Sequence, residues 1–229
     1  MNLVIVIPTY NEKENILFLT EELLRIVPQA MILLVDDNSP DGTGVAADAL
    51  AKQNPQVTVL HREKKEGLGR AYIAGFKEAL KMGADYIIQM DADFSHDPKY
   101  IPGFLEGIKT CDLVIGSRFL ASRKLPNVSV LSILANLYTR FILNLKITDC
   151  LGGFKCFRSE ILETIDLDKF ISSGFVFQAE FTYKARKKGL SIKEVPIIFC
   201  RRRFGKTKKT IKIISEAFFK IPLLRFDHR

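Results

Sequence analysis

With 229 residues and 47% hydrophobic content, the chain is long enough for one domain with a substantial core. Its 4 cysteines form no C-x-x-C pair and its 3 histidines are scattered. That excludes a disulfide framework and a zinc site, and it favours a reducing cytosol. The net charge of +8 is unevenly placed, because residues 1–200 are balanced while residues 201–229 carry ten basic and two acidic residues. Such a segment seeks an anion: phosphate, an acidic membrane surface or nucleic acid. The plain alternative is a solvated basic tail.

The chain opens on Leu3–Ile7, an apolar run with no basic stretch before it, so no signal peptide is expected. Asn11 and Glu14 resemble the cap of a helix running to Ile26. Met31–Val35 reads as a second buried strand, Val45–Ala51 as a helix, and Val57–Leu60 as a third strand. Arg70–Lys81 is helical in pattern, Tyr86–Met90 is a fourth strand, Asp97–Lys109 a helix and Leu113–Ile115 a fifth strand. This alternation predicts a mostly parallel sheet with helices on both faces. Beyond it, Val128–Leu145 reads as a long apolar helix, Phe175–Gly189 contains another, and Ile192–Ile198 is strand-like. The last segment, Ile211–Phe226, mixes apolar residues with Lys212 and Lys220, and Pro222 is expected to bend it. It fits either a membrane interface or a terminal helix docked on the core. No apolar stretch reaches the roughly 18 residues of a membrane span.

The chemistry is concentrated where strands end. In "YIIQMDADFSHDP" an apolar run gives way to Asp91 and Asp93. Open α/β sheets bind ligands at this carboxyl edge. Two carboxylates so close repel unless a cation lies between them, and oxygen-only ligands suit Mg²⁺ or Mn²⁺ holding substrate phosphates. A lone D-x-D is more often a pair of solvated turn residues. Three further loops face the same edge: "PTYNE" at Pro8–Glu12, "DDNSPDGT" at Asp36–Thr43, and "KKEGLGRAY" at Lys64–Tyr72. Tyr10 can stack on a base, Glu12 can accept from base or sugar, and Asp37 can accept from a ribose hydroxyl. Gly67 and Gly69 permit close backbone approach, or simply start a helix. His96 lies nearby and reads as structural.

Taken together, "PTYNE", "VDDNSPDGT", "GLGRAY", "MDADFSHDP", "GSRF", "GFVFQAE" and "RFGKTK", from Pro8 to Lys208, closely resemble glycosyltransferase family 2. Within it the chain is most similar to the dolichol (polyprenol) phosphate mannose synthases. The resemblance implies a GT-A nucleotide-sugar-binding fold over residues 1–200, followed by a basic loop and amphipathic segment at 201–229. It implies that Pro8, Tyr10, Glu12, Val35 and Asp37 bind the nucleotide. Asp91, Ala92 and Asp93 hold the sugar and the diphosphate–metal unit, with Asp93 the foremost ligand of Mg²⁺ or Mn²⁺. Arg118 binds phosphate or sugar, and Arg202 and Lys208 are the basic pair of a loop closing over donor phosphates. Gln178 and Glu180 fall on the acceptor side.

The implied reaction is an inverting transfer of mannose from GDP-mannose to dolichyl or polyprenyl phosphate. The implied setting is the cytoplasmic face of an anionic membrane, with peripheral attachment and no nucleic-acid partner. Two departures stand out. Ser95 occupies a position where some relatives have a ligating glutamine, and "LPNVSVLSILANLYTR" lacks the basic stretch that usually precedes this helix. UDP-glucose or another nucleotide sugar, with a polyprenyl phosphate or a saccharide acceptor, is the main alternative. A nucleic-acid module using the basic tail leaves Asp91 and Asp93 unexplained. A non-catalytic partner subunit is opposed by the intact Asp37, Asp91, Asp93, Arg202 and Lys208.

Overall fold

The structure is a computed structural model. It describes residues 2–120, 128–204 and 211–226, with the backbone alone for 211–217. Seven strands and eight α-helices are described: β1 (Leu3–Thr9), α1 (Lys13–Ile26), β2 (Met31–Asp36), α2 (Thr43–Gln53), β3 (Val57–His61), α3 (Leu68–Lys81), β4 (Tyr86–Gln89), α4 (Ile101–Gly107), β5 (Leu113–Ser117), α5 (Val130–Leu143), β6 (Lys155–Arg158), α6 (Ile161–Ile165), α7 (Val176–Lys187), β7 (Ile192–Pro196) and α8 (Ile211–Phe226). They build one sheet in the order β3-β2-β1-β4-β6-β5-β7.

Alternation along the strands divides the core in two, because successive side chains of a strand point to opposite faces. Leu3, Ile5 and Ile7 of β1 face Ile16, Leu19 and Leu23 of α1, with Phe104 of α4 in the same cluster. Val4 and Val6 face Tyr72 and Phe76 of α3, together with Phe177 and Phe181 of α7. Helices therefore cover both faces, as the continuous apolar strands require.

The sheet is parallel except at β6, which runs antiparallel to both β4 and β5. No strand was expected at 155–158, because a four-residue "KCFR" carries no long apolar run. The segment expected as one helix over 97–109 is instead α4 flanked by 3-10 turns at Pro98–Tyr100 and Ile108–Thr110. The expected Asn11–Glu14 cap does not form. Asn11 takes a left-handed conformation at φ 56° and donates its amide to Ser39 Oγ, and α1 starts at Lys13. The terminal α8 docks through Ile221 and Leu224, which join the core on the α3 and α7 side.

Candidate active site

Loops at the carboxyl ends of β1, β2, β4 and β5 form the edge, and a further segment, residues 200–204, contacts those after β1 and β4. Parallel pairing sets Pro8 of β1 beside Val35 of β2, so the loops that follow must touch. Glu12 donates its amide to Thr43 Oγ1 (2.9 Å), and Asp37 donates its own to Thr9 O (3.1 Å). Tyr10 has the Lys65 ammonium over its ring at 3.6 Å.

Asp36 is a turn residue. Its carboxylate accepts from Thr9 Oγ1 (3.2 Å) and from the Ser39 amide and hydroxyl (3.1 and 2.5 Å). Asp37 is paired with Arg62, which also reaches Glu66 at 2.7 Å. Burial pushes the Asp37 carboxyl up, and the Arg62 guanidinium opposes it without cancelling the rise. Arg62 was not singled out from the sequence, since a lone arginine after a strand carries no pattern.

Gly67 and Gly69 meet the protein's own backbone. A Cβ on Gly67, at φ +105°, would lie 2.5 Å from Ser173 O, and one on Gly69 would lie 2.8 Å from Ser172 O. The Gly69 amide donates to Ser173 O at 2.7 Å. The close approach allowed by these glycines is thus taken up by the 172–173 turn. Glu180 explains how that turn is held. It is fully buried and accepts the amides of Ile171 (3.0 Å) and Ser172 (2.9 Å). Its oxygens serve the fold of this loop.

The two aspartates after β4 are held from different sides. Asp91 Oδ1 accepts the Tyr72 hydroxyl at 2.9 Å, and the Asp91 amide donates to His96 Nδ1 at 3.0 Å. His96 is buried and stacked on Phe154. Burial lowers its basicity against the pull of Asp91 and Asp93. It is a neutral ring that shapes the turn, as the sequence suggested. Ala92 is buried between the two carboxylates. Asp93 Oδ1 accepts the Ser95 amide (3.0 Å) and hydroxyl (2.5 Å), and Oδ2 pairs with Arg202 at 2.9 Å. Burial pushes the Asp93 carboxyl up, but the Ser95 hydrogen bonds and the Arg202 charge outweigh it and hold it below its ordinary value.

Arg202 also grips both Glu12 oxygens, at 2.9 and 3.0 Å. It therefore bridges the β1 and β4 loops. The Arg203 amide donates to Asp93 O (3.1 Å), and its guanidinium lies over Phe18 (4.7 Å) and Phe94 (5.1 Å). Lys208, its expected companion, lies outside the described residues. Arg118, at the end of β5, is engaged by Asp149. The fully buried carboxylate takes the Arg118 amide (3.1 Å), Nε (2.7 Å) and Nη2 (2.7 Å).

Beneath the loops lies a buried polar cluster. Gln178 Oε1 accepts from Gln89 Nε2 and Lys155 Nζ, both at 2.5 Å, and Lys155 also donates to Gly152 O. Gln178 thus sits under the site, inaccessible to solvent, rather than on its surface. Tyr72, Asp149 and Lys155 were assigned no role from sequence. Only Tyr72 lay in a motif, and no spacing signals a lysine buried in the middle of a sheet.

Burial lowers the Lys155 ammonium to about 7, against the opposing pull of Asp149 and Asp91, while its ordinary value is 10.5. Between those values the unfolded chain holds a proton that the folded chain releases, so stability rises with pH. From pH 7 to pH 8.5 this group adds on the order of 1–2 kcal/mol. Wild type minus Lys155→Met, by urea unfolding across this range, isolates the effect. Parallel curves would show that Lys155 stays charged in the fold.

Carboxylates paired with arginines thus stand at the carboxyl edge of a mostly parallel sheet, where open α/β sheets bind ligands. A model of glycosyl transferase family 2 matches residues 4–166, and the chain belongs to that family. It is 43% identical over 221 residues to an undecaprenyl-phosphate mannosyltransferase of Micrococcus luteus, covering 95% of this chain and 91% of that one. It is also 43% identical to a polyprenol monophosphomannose synthase of Mycolicibacterium smegmatis, covering 95% and 84%. In fold it is similar to mannosyl-3-phosphoglycerate synthase of Rubrobacter xylanophilus, with a TM-score of 0.74 at 18% identity over 99% of this chain and 74% of that one. Glucosyl-3-phosphoglycerate synthase of Mycobacterium tuberculosis, in complex with Mn²⁺, UDP-glucose and phosphoglyceric acid, gives 0.68 at 17% identity, covering 98% and 78%.

Proposed function

We propose that the protein transfers mannose from GDP-mannose to a polyprenyl phosphate, with inversion at the sugar. The carrying observation is the Glu12–Arg202–Asp93 bridge beside Asp91, in a chain 43% identical across 95% of its length to two enzymes named for polyprenyl mannosylation.

In the reaction an acceptor phosphate oxygen bonds to the anomeric carbon as the bond from that carbon to the GDP diphosphate breaks. The electron pair leaves with GDP. Charge accumulates on the departing diphosphate, so the main demand is electrostatic. Arg202 and Arg118 supply fixed positive charge at the loop ends. The nucleophile is already anionic at neutral pH, so the chain needs no strong general base. A neutral, buried His96 is consistent with that.

The hard oxygen donors of Asp91 and Asp93 fit Mg²⁺ or Mn²⁺. In this structure the Arg202 guanidinium pairs with Asp93 Oδ2. Such an ion, when bound, would supply Lewis-acid neutralisation of the diphosphate. Asp91 and Asp93 are the residues that would hold it, and the Glu12 carboxylate would keep Arg202 in place. Tyr10, Asp37 and the Pro8–Val35 pair are proposed, on the family resemblance, to bind the nucleoside. Lys208 is proposed to join Arg202 over the phosphates, and the basic segment after residue 200 to favour the anionic cytoplasmic face of a membrane.

The base and sugar rest on the similarity of sequence. Calorimetry with GDP and UDP in Mn²⁺ tests them. GDP is expected to bind at least tenfold more tightly, and tighter UDP would move the donor to UDP-glucose.

A further inference from the structure

Neither "GLGRAY" nor "GFVFQAE" contributes an atom to the transfer described above, yet both converge on one side chain, Tyr72. Tyr72 closes the first motif and is fully buried near the start of α3. Its ring stacks on Phe76 at 5.7 Å and, nearly parallel, on Phe177 of the second motif at 5.9 Å. The Gly69 amide, bonded to Ser173 O, fixes where α3 begins. Glu180 of the second motif holds that turn through the Ile171 and Ser172 amides. The tyrosine is therefore fixed both by its ring and by its helix.

Its hydroxyl donates to Asp91 Oδ1 at 2.9 Å. Among the described residues it is the one hydrogen-bond donor to the Asp91 carboxylate. The two aspartates thus have partners of different charge. Asp93 pairs with a cation, Arg202, at 2.9 Å. Asp91 receives a phenol, which is a neutral donor throughout the neutral pH range. An arginine offsets the charge of its carboxylate, whereas a phenol orders its carboxylate and leaves the charge whole.

We propose that Tyr72 is a positioning residue for Asp91, its buried hydroxyl holding that carboxylate in place for the divalent ion. This rests on the proposed function, in which Asp91 and Asp93 hold the ion. Two neighbouring carboxylates repel, so an unrestrained Asp91 would turn away from Asp93. With Oδ1 committed to the hydroxyl, that rotation is suppressed in advance, and less ordering is left to be done on binding.

Tyr72→Phe removes the hydroxyl and keeps the ring contacts. With GDP present, Mn²⁺ affinity is read from the electron paramagnetic resonance of the free ion. It is expected to fall about tenfold or more, the usual loss when the hydrogen-bond partner of a metal ligand is removed. The Mn²⁺ concentration for half-maximal turnover should rise by the same factor, while turnover at saturating Mn²⁺ stays within about threefold of wild type. GDP binding without metal should be unchanged, and a thermal melt should show a folded protein.

Mn²⁺ affinity within about twofold of wild type would overturn the proposal. So would a turnover deficit that saturating Mn²⁺ does not repair, which would put the hydroxyl in the chemical step. A variant that loses metal-free GDP binding, or does not fold, would make the hydroxyl part of the scaffold and overturn it too. If wild type itself binds no Mn²⁺ with GDP present, the divalent-ion reading falls and Tyr72 with it. If wild type and variant bind equally, that reading stands and only the role of Tyr72 falls.

Discussion

Asp93→Ala is expected to lower turnover at least a hundredfold while leaving the protein folded. The carboxylate is only 13% exposed, but its partners survive its loss. Arg202 stays bound by both Glu12 oxygens, and Ser95 loses an acceptor at the rim of a loop. The stability cost is therefore about 1–2 kcal/mol, within the ~5–15 kcal/mol of a folded domain. The catalytic cost is larger. Under the proposed function Asp93 both holds the divalent ion and orients Arg202, and each contributes only as charge develops on the diphosphate. A hundredfold corresponds to ~2.7 kcal/mol of transition-state stabilisation, a modest demand for a metal ligand. The check is turnover at saturating Mg²⁺ or Mn²⁺, alongside a thermal melt. Turnover within threefold of wild type would remove Asp93 from the mechanism.

Asp149→Ala is expected to be the most destabilising change in the site. This carboxylate is wholly buried and takes three hydrogen bonds from Arg118, itself 12% exposed at the side chain. Breaking a buried pair by removing one partner leaves the other charge uncompensated, at about 3–5 kcal/mol. For a chain of this length that lowers Tm by about 10 °C. Turnover falls too, because an arginine freed from its fork no longer points where the phosphate needs it. Adding Arg118→Met should recover at least 1 kcal/mol of stability and none of the activity, since the orphaned charge is gone but the phosphate ligand is not restored. Urea unfolding of the two single variants and the double variant tests this. A loss below 1 kcal/mol for Asp149→Ala alone would show that Arg118 finds another partner and that the clamp is dispensable.

How much was legible beforehand differs between the fold and the site. The parallel half of the sheet followed from apolar runs alternating with helical periods, because a strand buried on both faces must be apolar throughout. The loops at its carboxyl edge, with Asp91 and Asp93, followed from where those runs stop. The antiparallel β6 did not, since four residues lie below the length at which periodicity carries information and their place depends on β4 and β5. The broken helix near α4 was hidden for a similar reason: Pro98 and Pro102 mark a helix start but not how long it continues.

Partnership is what the sequence by itself did not contain. Motif residues Asp37, Asp93 and Arg118 were recognised as chemically apt, but what each one touches was not. Arg202 reaches Glu12 across 190 positions, and Asp149 reaches Arg118 across 31. Glu180 matched a family motif, yet its oxygens close a loop whose carbonyls fill the space beside Gly67 and Gly69. Local pattern determined which residues lie on helices, strands and edges, because periodicity and turn chemistry act over a few residues. Tertiary packing alone decided which charges meet and which lysine lies in the sheet. Those outcomes depend on distances through space that no spacing along the chain encodes.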